Sequence, residues 1–150
     1  MRKSKRIALV AHDSLKKDLV EWAERNAKIL REHKLICTGT TGRLLLEMFN
    51  TIYPSEKIDM TLVKSGPLGG DQQIGAMICN QEIDLLVFIT DPMTPQPHDV
   101  DVKALIRMAV IYNIAMACNL TTADFIINST LFYTDYIPVI RDYNEYIYRK

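Results

Sequence analysis

The sequence predicts an α/β protein in which an open, mostly parallel sheet carries helices on both faces. Two observations lead to this prediction. Short apolar runs alternate five times with segments that have helical spacing or helix-starting residues. The clearest runs also lack polar alternation, which is typical of strands covered on both faces. A length of 150 residues with 48% apolar content suits a single domain spanning 1–150.

The elements follow one another without a linker or a repeat. The predicted strands are 7–11, 35–37, 60–63, 85–89 and 114–118. The predicted helices are 14–31, 44–49, 74–79, one started by Asp99 or Asp101, and one opened by 121–124. Three prolines in 91–98 exclude a helix directly after the fourth strand. We expect strand 60–63 to be buried, 51–59 to be a loop, and His33 to lie on the surface.

Composition excludes several classes of partner. Eighteen basic residues balance eighteen acidic ones, so broad attraction to nucleic acid or to a membrane surface is not indicated. Cys37, Cys79 and Cys118 are far apart and odd in number, which fits neither a disulfide framework nor paired zinc ligands. The apolar run 7–11 is too short for a signal peptide or a membrane span. A reducing cytoplasm is the simplest compartment.

A glycine-rich stretch, 65–73, connects the third predicted strand to the next helix. It reads Ser-Gly-Pro-Leu-Gly-Gly-Asp-Gln-Gln, with three glycines within five positions. Glycine permits backbone conformations that other residues avoid, and it lets a ligand approach the main chain. Asp71, the acid that this stretch presents, is therefore the first candidate for chemistry. The alternative is that Asp71 only caps the following helix.

Polar residues follow several of the predicted strands, where ligands bind in parallel α/β sheets. They are His12, Asp13, Thr38, Thr40, Thr41, Ser65, Asp71, Asp91, His98 and Asp101. The hydroxyls and helix-starting amides at 38–42 and 65–66 suit an anion, and Lys16 fits beside one. Carboxylates and imidazoles supply proton transfer. The structural alternatives are a capped turn and hydrogen-bonded histidines.

Known site patterns narrow the chemistry further. No pair of potential ligands has a recognised metal spacing, so we expect no metal site. The threonine turn 38–42 lacks the spacing of a P-loop and of a dinucleotide-binding fingerprint. The anion would therefore be held by a local turn of another kind.

The segments 7–13, 38–42, 65–73 and 91–92 with 97–105 resemble those of the bacterial methylglyoxal synthases, and the similarity continues through Asn119 and 122–127. The resemblance implies a five-stranded parallel sheet of order 3-2-1-4-5 in a cytoplasmic homohexamer. It implies a lyase without cofactor or metal that converts dihydroxyacetone phosphate to methylglyoxal and inorganic phosphate. It also suggests regulation by free phosphate.

Carried over by position, the resemblance assigns two groups of residues. The catalytic group is Asp71 as acid/base, His98 beside the substrate's carbonyl and hydroxyl oxygens, and the supporting carboxylates Asp13 and Asp101. The substrate- and phosphate-binding group is His12, Lys16, Thr38, Gly39, Thr40, Thr41, Ser65 and Gly66, together with Asp91, a further supporting carboxylate. The shortened C-terminus 146–150 departs from the family, in which an arginine near the end reaches a phosphate.

The reaction places demands on these groups. A carboxylate with an ordinary pKa of about 3.9 is a weak base, so Asp71 needs surroundings that raise its pKa. We expect Asp13 or Asp101 and desolvation to do this. His98 would act best as a neutral donor, as the histidine of triosephosphate isomerase does.

Three alternatives remain open from the sequence. Similar domains bind anions as allosteric modules in carbamoyl phosphate synthetase without chemistry of their own, but this chain keeps Asp71, His98 and Asp101 together. A receiver-type phosphoacceptor domain needs an aspartate closing the third strand and a lysine closing the fifth, and 64–65 and 118–119 do not supply them. A doubly wound domain of unrelated function is the third, because fold does not fix chemistry.

Overall fold

The computed structural model describes residues 4–148, apart from the side chain of Glu145. Five parallel strands form a sheet of order β3-β2-β1-β4-β5, which confirms the predicted fold class and strand order. Their bounds are Arg6–Ala11 for β1, Lys34–Thr38 for β2, Met60–Val63 for β3, Leu85–Ile89 for β4 and Ala115–Ala117 for β5. Ala8 of β1 lies between Ile36 of β2 and Leu86 of β4.

Helices connect the strands and cover both faces of the sheet. They are α1 Lys16–Arg25, α2 Ala27–Leu30, α3 Gly39–Ile52, α4 Gly70–Cys79, α5 Asp99–Ile111, α6 Leu120–Ile127 and α7 Asn144–Ile147. One face of β1, with Ile7 and Leu9, packs in a core with residues of α1, α3 and α6. The other face, with Ala8 and Val10, packs against α4 and α5. This arrangement confirms the doubly wound fold.

Several helix boundaries differ from the sequence prediction, since α3 and α4 begin at Gly39 and Gly70 and not at 44 and 74. The predicted helix 14–31 begins with a 3-10 turn, Asp13–Leu15, and breaks at Asn26 between α1 and α2. The Asn26 side-chain amide donates to the Trp22 carbonyl at 2.9 Å, and such side-chain bonds compete with the helical ladder. Helix α3 runs to Ile52, so the predicted loop 51–59 begins later, after the apolar face of the helix ends.

Two burial predictions were wrong. Strand β3 is an edge strand that pairs only with β2, and its Leu62 is 43% exposed. His33, which the charged stretch around it placed on the surface, is only 2% exposed. The Lys5 backbone N–H donates to Nδ1 of His33 at 2.9 Å, and Phe132 packs against the ring. Charged sequence neighbours did not reveal these distant contacts.

The strand order creates a crevice beside β1. The chain leaves β1 toward β2 on one side, whereas β4 leads to β5 on the other. The carboxyl ends of β1 and β4 therefore flank a topological switch point, where open α/β sheets bind ligands. The Asp91 backbone N–H donates to the His12 ring across this point at 2.8 Å. The loops after β1 and β4 are thus joined at the crevice.

Candidate active site

A cavity of about 280 Å³ lies at the carboxyl ends of the strands. Nine of the predicted site residues line it: His12, Asp13, Lys16, Thr38, Thr40, Ser65, Gly66, Asp71 and His98. Four predicted residues, Gly39, Thr41, Asp91 and Asp101, lie outside its lining. The loops after β1, β2, β3 and β4 therefore converge on one space suited to a small polar ligand.

The glycine-rich stretch forms a tight turn that places Asp71 at this cavity. A 3-10 turn, Gly66–Leu68, leads to Gly69, whose φ of +107° is unfavourable for residues with a side chain. A Cβ on Gly70 would stand 1.9 Å from the Lys64 carbonyl oxygen, so this position requires glycine. The Gln73 side chain accepts the Lys64 backbone N–H at 2.8 Å and closes the turn.

Asp71 is a buried carboxylate that makes no hydrogen bond within residues 4–148. It lies in the first turn of α4, whose N-cap is Gly69, so it is not the cap that the alternative interpretation supposed. The residue is 2% exposed, and neither carboxylate oxygen has a hydrogen-bond partner in the described part of the chain. Burial raises the pKa of Asp71, with Asp101 adding to the rise and His98 opposing it. The site thus holds a carboxylate that is more basic than usual.

His98 faces Asp71 across the position of Gly66. Its Nε2 lies 3.7 Å from an Asp71 carboxylate oxygen, beyond hydrogen-bond distance. A Cβ on Gly66 would stand 3.2 Å from that nitrogen and 3.3 Å from Asp71 Oδ1. The missing side chain of Gly66 therefore leaves open the space next to both groups.

His12 is a second imidazole in the cavity, and its tautomer follows from its contacts. Its Nδ1 accepts the Asp91 backbone N–H, so the proton of the neutral ring is on Nε2. The residue is 7% exposed, and Nε2 has no partner among residues 4–148. Burial lowers the pKa of His12, and the neighbouring His98 lowers it further. His12 thus presents a neutral N–H donor to the cavity.

An anion site lies beside these groups. Thr38 is the N-cap of α3, but its side chain makes no capping hydrogen bond, so the first amides of the helix keep their capacity to bind an anion. Thr40 and Ser65 line the same region with hydroxyls. Lys16 reaches it with a side chain that is 19% exposed and is bonded to Asp13 Oδ1 at 2.5 Å. Hydroxyls, helix amides and an ammonium together suit a phosphate group.

The four predicted residues outside the lining occupy supporting positions. Gly39 begins α3 against the end of β3, where a Cβ would lie 3.6 Å from the Val63 carbonyl oxygen. Thr41 is fully buried in the first turn of α3. Asp101 lies in the first turn of α5 and acts on Asp71 through its charge. Asp91 caps a turn, because its Oδ1 accepts the backbone N–H groups of Met93 and Thr94.

Sequence reasoning missed several wall residues. Pro67, Phe88, Gln96 and Pro97 also line the cavity. The His12 ring packs edge-on against Phe88 at 5.2 Å, a contact for which the sequence gives no signal. Gln96 carries a usable signal, because it is a polar residue in the non-helical segment after β4. Arg149, the arginine in the shortened C-terminus 146–150 to which the family's phosphate contact could correspond, lies outside the described residues.

The described residues contain neither a metal-binding cluster nor a membrane-spanning helix. Among residues 4–148, no group of three or more His, Cys, Asp and Glu side chains has the arrangement needed to hold a metal ion. None of the helices in this part of the chain combines the length and the apolar character that a membrane crossing requires.

Known proteins resemble this chain in sequence and in structure. A family model described as MGS-like domain matches residues 18–118. The methylglyoxal synthase of Oleidesulfovibrio alaskensis is 48% identical over 149 residues, which cover 99% of this chain and 97% of that protein. A methylglyoxal synthase of Coxiella burnetii is 48% identical over 142 residues, with 95% and 94% covered. The crystal structure of methylglyoxal synthase from Elizabethkingia anophelis matches with a TM-score of 0.86 and 47% identity, covering 100% of this chain and 94% of that one.

Proposed function

Because the chain belongs to the methylglyoxal synthase family, we propose that it converts dihydroxyacetone phosphate to methylglyoxal and inorganic phosphate as a carbon–oxygen lyase. One observation carries the proposal. The buried Asp71 carboxylate makes no hydrogen bond within residues 4–148 and faces His98 across the space left open by Gly66. A base with a raised pKa beside a donor is what removal of a carbon-bound proton requires.

Proton transfer is the first step. Asp71 takes a proton from the carbon that bears the hydroxyl group, and the electron pair of that bond moves toward the carbonyl, which becomes an enediolate. His98 and the Nε2–H of His12 face the cavity in which this negative charge develops. Each well-aimed donor contributes roughly 3 to 4 kcal/mol to stabilising such an oxyanion. His12 donates as a neutral ring, because its pKa is lowered.

Loss of phosphate is the second step. The hydroxyl proton passes to the former carbonyl oxygen, and the hydroxyl oxygen forms a new aldehyde carbonyl. The double bond shifts toward the phosphate-bearing carbon as its carbon–oxygen bond to the phosphate breaks, which releases inorganic phosphate and leaves the enol of methylglyoxal. The enol then takes up a proton on its terminal carbon, loses its O–H proton and becomes the methyl ketone, and the proton balance leaves one proton on the released phosphate. The leaving phosphate takes the bonding electron pair, and Lys16 and the α3 amides lie where they stabilise its added charge.

The anion site also decides the outcome of the reaction. Elimination requires the breaking carbon–oxygen bond to lie roughly perpendicular to the enediolate plane, so that its orbitals overlap with the enediolate. A phosphate held at Thr38 and Thr40 is fixed by one helix, whereas the reacting carbons are fixed by the loop of Asp71. For elimination to win over isomerisation, the proposal requires these two supports to hold the breaking bond out of the enediolate plane.

Turnover of dihydroxyacetone phosphate tests the proposal directly. The purified protein is incubated with this substrate and a chelator, and released phosphate and methylglyoxal are measured separately. We expect equal amounts of the two products, with no loss of rate from the chelator. Binding of the substrate without turnover would instead support the allosteric anion-binding module.

Replacing Thr40 with Val is expected to weaken binding of inorganic phosphate by about tenfold to a hundredfold, because it removes a hydrogen bond to a charged ligand. Valine keeps the β-branched shape, so α3 should fold normally. Calorimetric titration with phosphate measures the effect. Thr51→Val is the matched control, since Thr51 is in the same helix but bonds the Glu47 carbonyl. Equal affinities in the two variants would remove Thr40 from the anion site.

A homohexamer regulated by free phosphate in the cytoplasm completes the proposal. Apolar side chains on the surface support assembly: Val110, Phe125, Ile137 and Val139 are 63%, 76%, 76% and 82% exposed. Light scattering on the purified 17.2 kDa chain should give six times the mass of one chain. A monomer at micromolar concentration would contradict this part of the proposal.

A further inference from the structure

Ser14 makes a contact that helix capping does not explain. It lies in the 3-10 turn Asp13–Leu15, where neither this turn nor α1 has a side-chain cap. Its hydroxyl instead donates to Oδ2 of Asp91 at 2.5 Å, across 77 positions of sequence. The contact joins the loop after β1 to the loop after β4, at the crevice.

The same two loops are joined a second time through His12. The backbone N–H of Asp91 donates to Nδ1 of His12 at 2.8 Å, so Asp91 contacts 12–14 with its main chain and its side chain. The second carboxylate oxygen of Asp91 accepts the N–H groups of Met93 and Thr94 at 2.9 and 3.2 Å. Both oxygens of Asp91 are therefore used to fix the turn that carries its amide.

We propose that Ser14 is a positioning residue: its hydroxyl holds Asp91 so that the Asp91 amide keeps the His12 proton on Nε2, facing the cavity. The effect of this tautomer on the rate of turnover rests on the proposed function. An N–H donor at Nδ1 excludes a proton on that nitrogen, because two donors would face each other. Without the Ser14 hydroxyl, the Asp91 side chain no longer contacts the loop after β1, and the Asp91 amide is held less firmly against His12. The tautomer of His12 with its proton on Nδ1 then becomes accessible.

Ionisation of Asp91 keeps this contact in place over the working pH range. Hydrogen bonds from Ser14 and then from Thr94 and Met93 hold the pKa of Asp91 at about 2. The carboxylate is thus charged in neutral solution, and a hydroxyl donating to a charged oxygen makes a stronger bond than one to a neutral oxygen.

The test is the tautomer of His12 in the free protein, read by long-range proton–nitrogen NMR correlation on nitrogen-15-labelled histidine. The chain has three histidines, and His12→Gln assigns the signal. We expect wild type to show only the Nε2–H form and Ser14→Ala to show both tautomers. Ser14 is exposed, so the variant should fold, and circular dichroism checks this.

Kinetics provide the second readout. Ser14→Ala should lower kcat by about tenfold, with a smaller change in KM. This is less than the loss of about a hundredfold that results when a catalytic group is misplaced by about 1 Å. Ser14→Thr should restore both the tautomer and the rate. Ser129→Ala, which removes a hydroxyl that accepts the Leu131 N–H, should change neither.

A single Nε2–H tautomer in Ser14→Ala would overturn the proposal, whatever the rate of that variant. Failure of Ser14→Thr to restore the tautomer would also overturn it. A wild-type protein without turnover would contradict the proposed function, but the tautomer comparison would still decide the role of Ser14.

Discussion

Replacing Asp71 with Asn is expected to lower kcat by at least about 10³-fold, because general-base catalysis contributes 10²- to 10⁴-fold and Asp13, the other carboxylate that lines the cavity, is paired with Lys16. The amide has nearly the same shape but cannot accept the proton. Binding of inorganic phosphate should persist, since Thr38, Thr40 and Lys16 are unchanged. Single-turnover kinetics and phosphate titration separate the two effects.

The same variant makes a prediction about stability that is independent of catalysis. Burial raises the folded-state pKa of Asp71 above its ordinary 3.8, so the folded chain binds this proton more tightly than the unfolded chain. Ionisation of Asp71 therefore lowers the free energy of unfolding as the pH rises above 3.8. The full decrease is reached once the pH exceeds the raised pKa of the folded state. Asp71→Asn should melt at a higher temperature than wild type at neutral pH, and the difference should shrink as the pH falls toward 3.8.

The matched control is Asp18→Asn, which changes an exposed acid in the first turn of α1. It should leave both kcat and the melting temperature nearly unchanged. An active Asp71→Asn variant would refute the assignment of Asp71 as the base. An inactive variant with a lower melting temperature than wild type at neutral pH would contradict the stability prediction. It would mean that the folded protein stabilises the Asp71 charge by a contact that the described residues do not show.

The parallel sheet was predictable because apolar runs without polar alternation mark buried parallel strands, whereas its strand order was predicted from the resemblance to the methylglyoxal synthases. Strand 85–89 matches β4 at both ends, and three prolines ended it as expected. The cavity lining was also largely predictable, because strand ends meet at one edge of a sheet. Prediction was poorer for β3, since an edge strand and a central strand carry similar apolar residues in so short a run.

The rest of the site depends on contacts between distant parts of the chain. The tautomer of His12 is set by an amide 79 positions away, and nothing in 7–13 encodes that contact. The sequence left open whether Asp13 or Asp101 raises the pKa of Asp71. In the folded chain burial raises this pKa, and the charge of Asp101 adds to the rise, while Asp13 pairs with Lys16. Such choices depend on distances of a few ångströms, which local patterns do not specify.

Replacing Gly66 with Ala is expected to lower kcat/KM by at least about 10²-fold while the fold is preserved. The added methyl would stand 3.2 Å from His98 Nε2 and 3.3 Å from Asp71 Oδ1, in the space that the reacting carbons need, and small misplacements of reacting groups cost this much. The backbone of Gly66 does not have a positive φ, so alanine is compatible with the turn. Steady-state kinetics and thermal melting measure the two effects.

Gly75→Ala is the matched control, because its added Cβ has only Leu105 Cδ1 near it, at 3.9 Å. Gly75 lies inside α4, where alanine is favoured over glycine by roughly 0.5 to 1 kcal/mol, so this variant should be active and slightly more stable. Phosphate should still bind to Gly66→Ala, since the Thr38 and Thr40 hydroxyls are at the start of another element, α3. Full activity in Gly66→Ala would mean that the substrate does not pass between Asp71 and His98, and the proton transfer derived from that gap would fail with it.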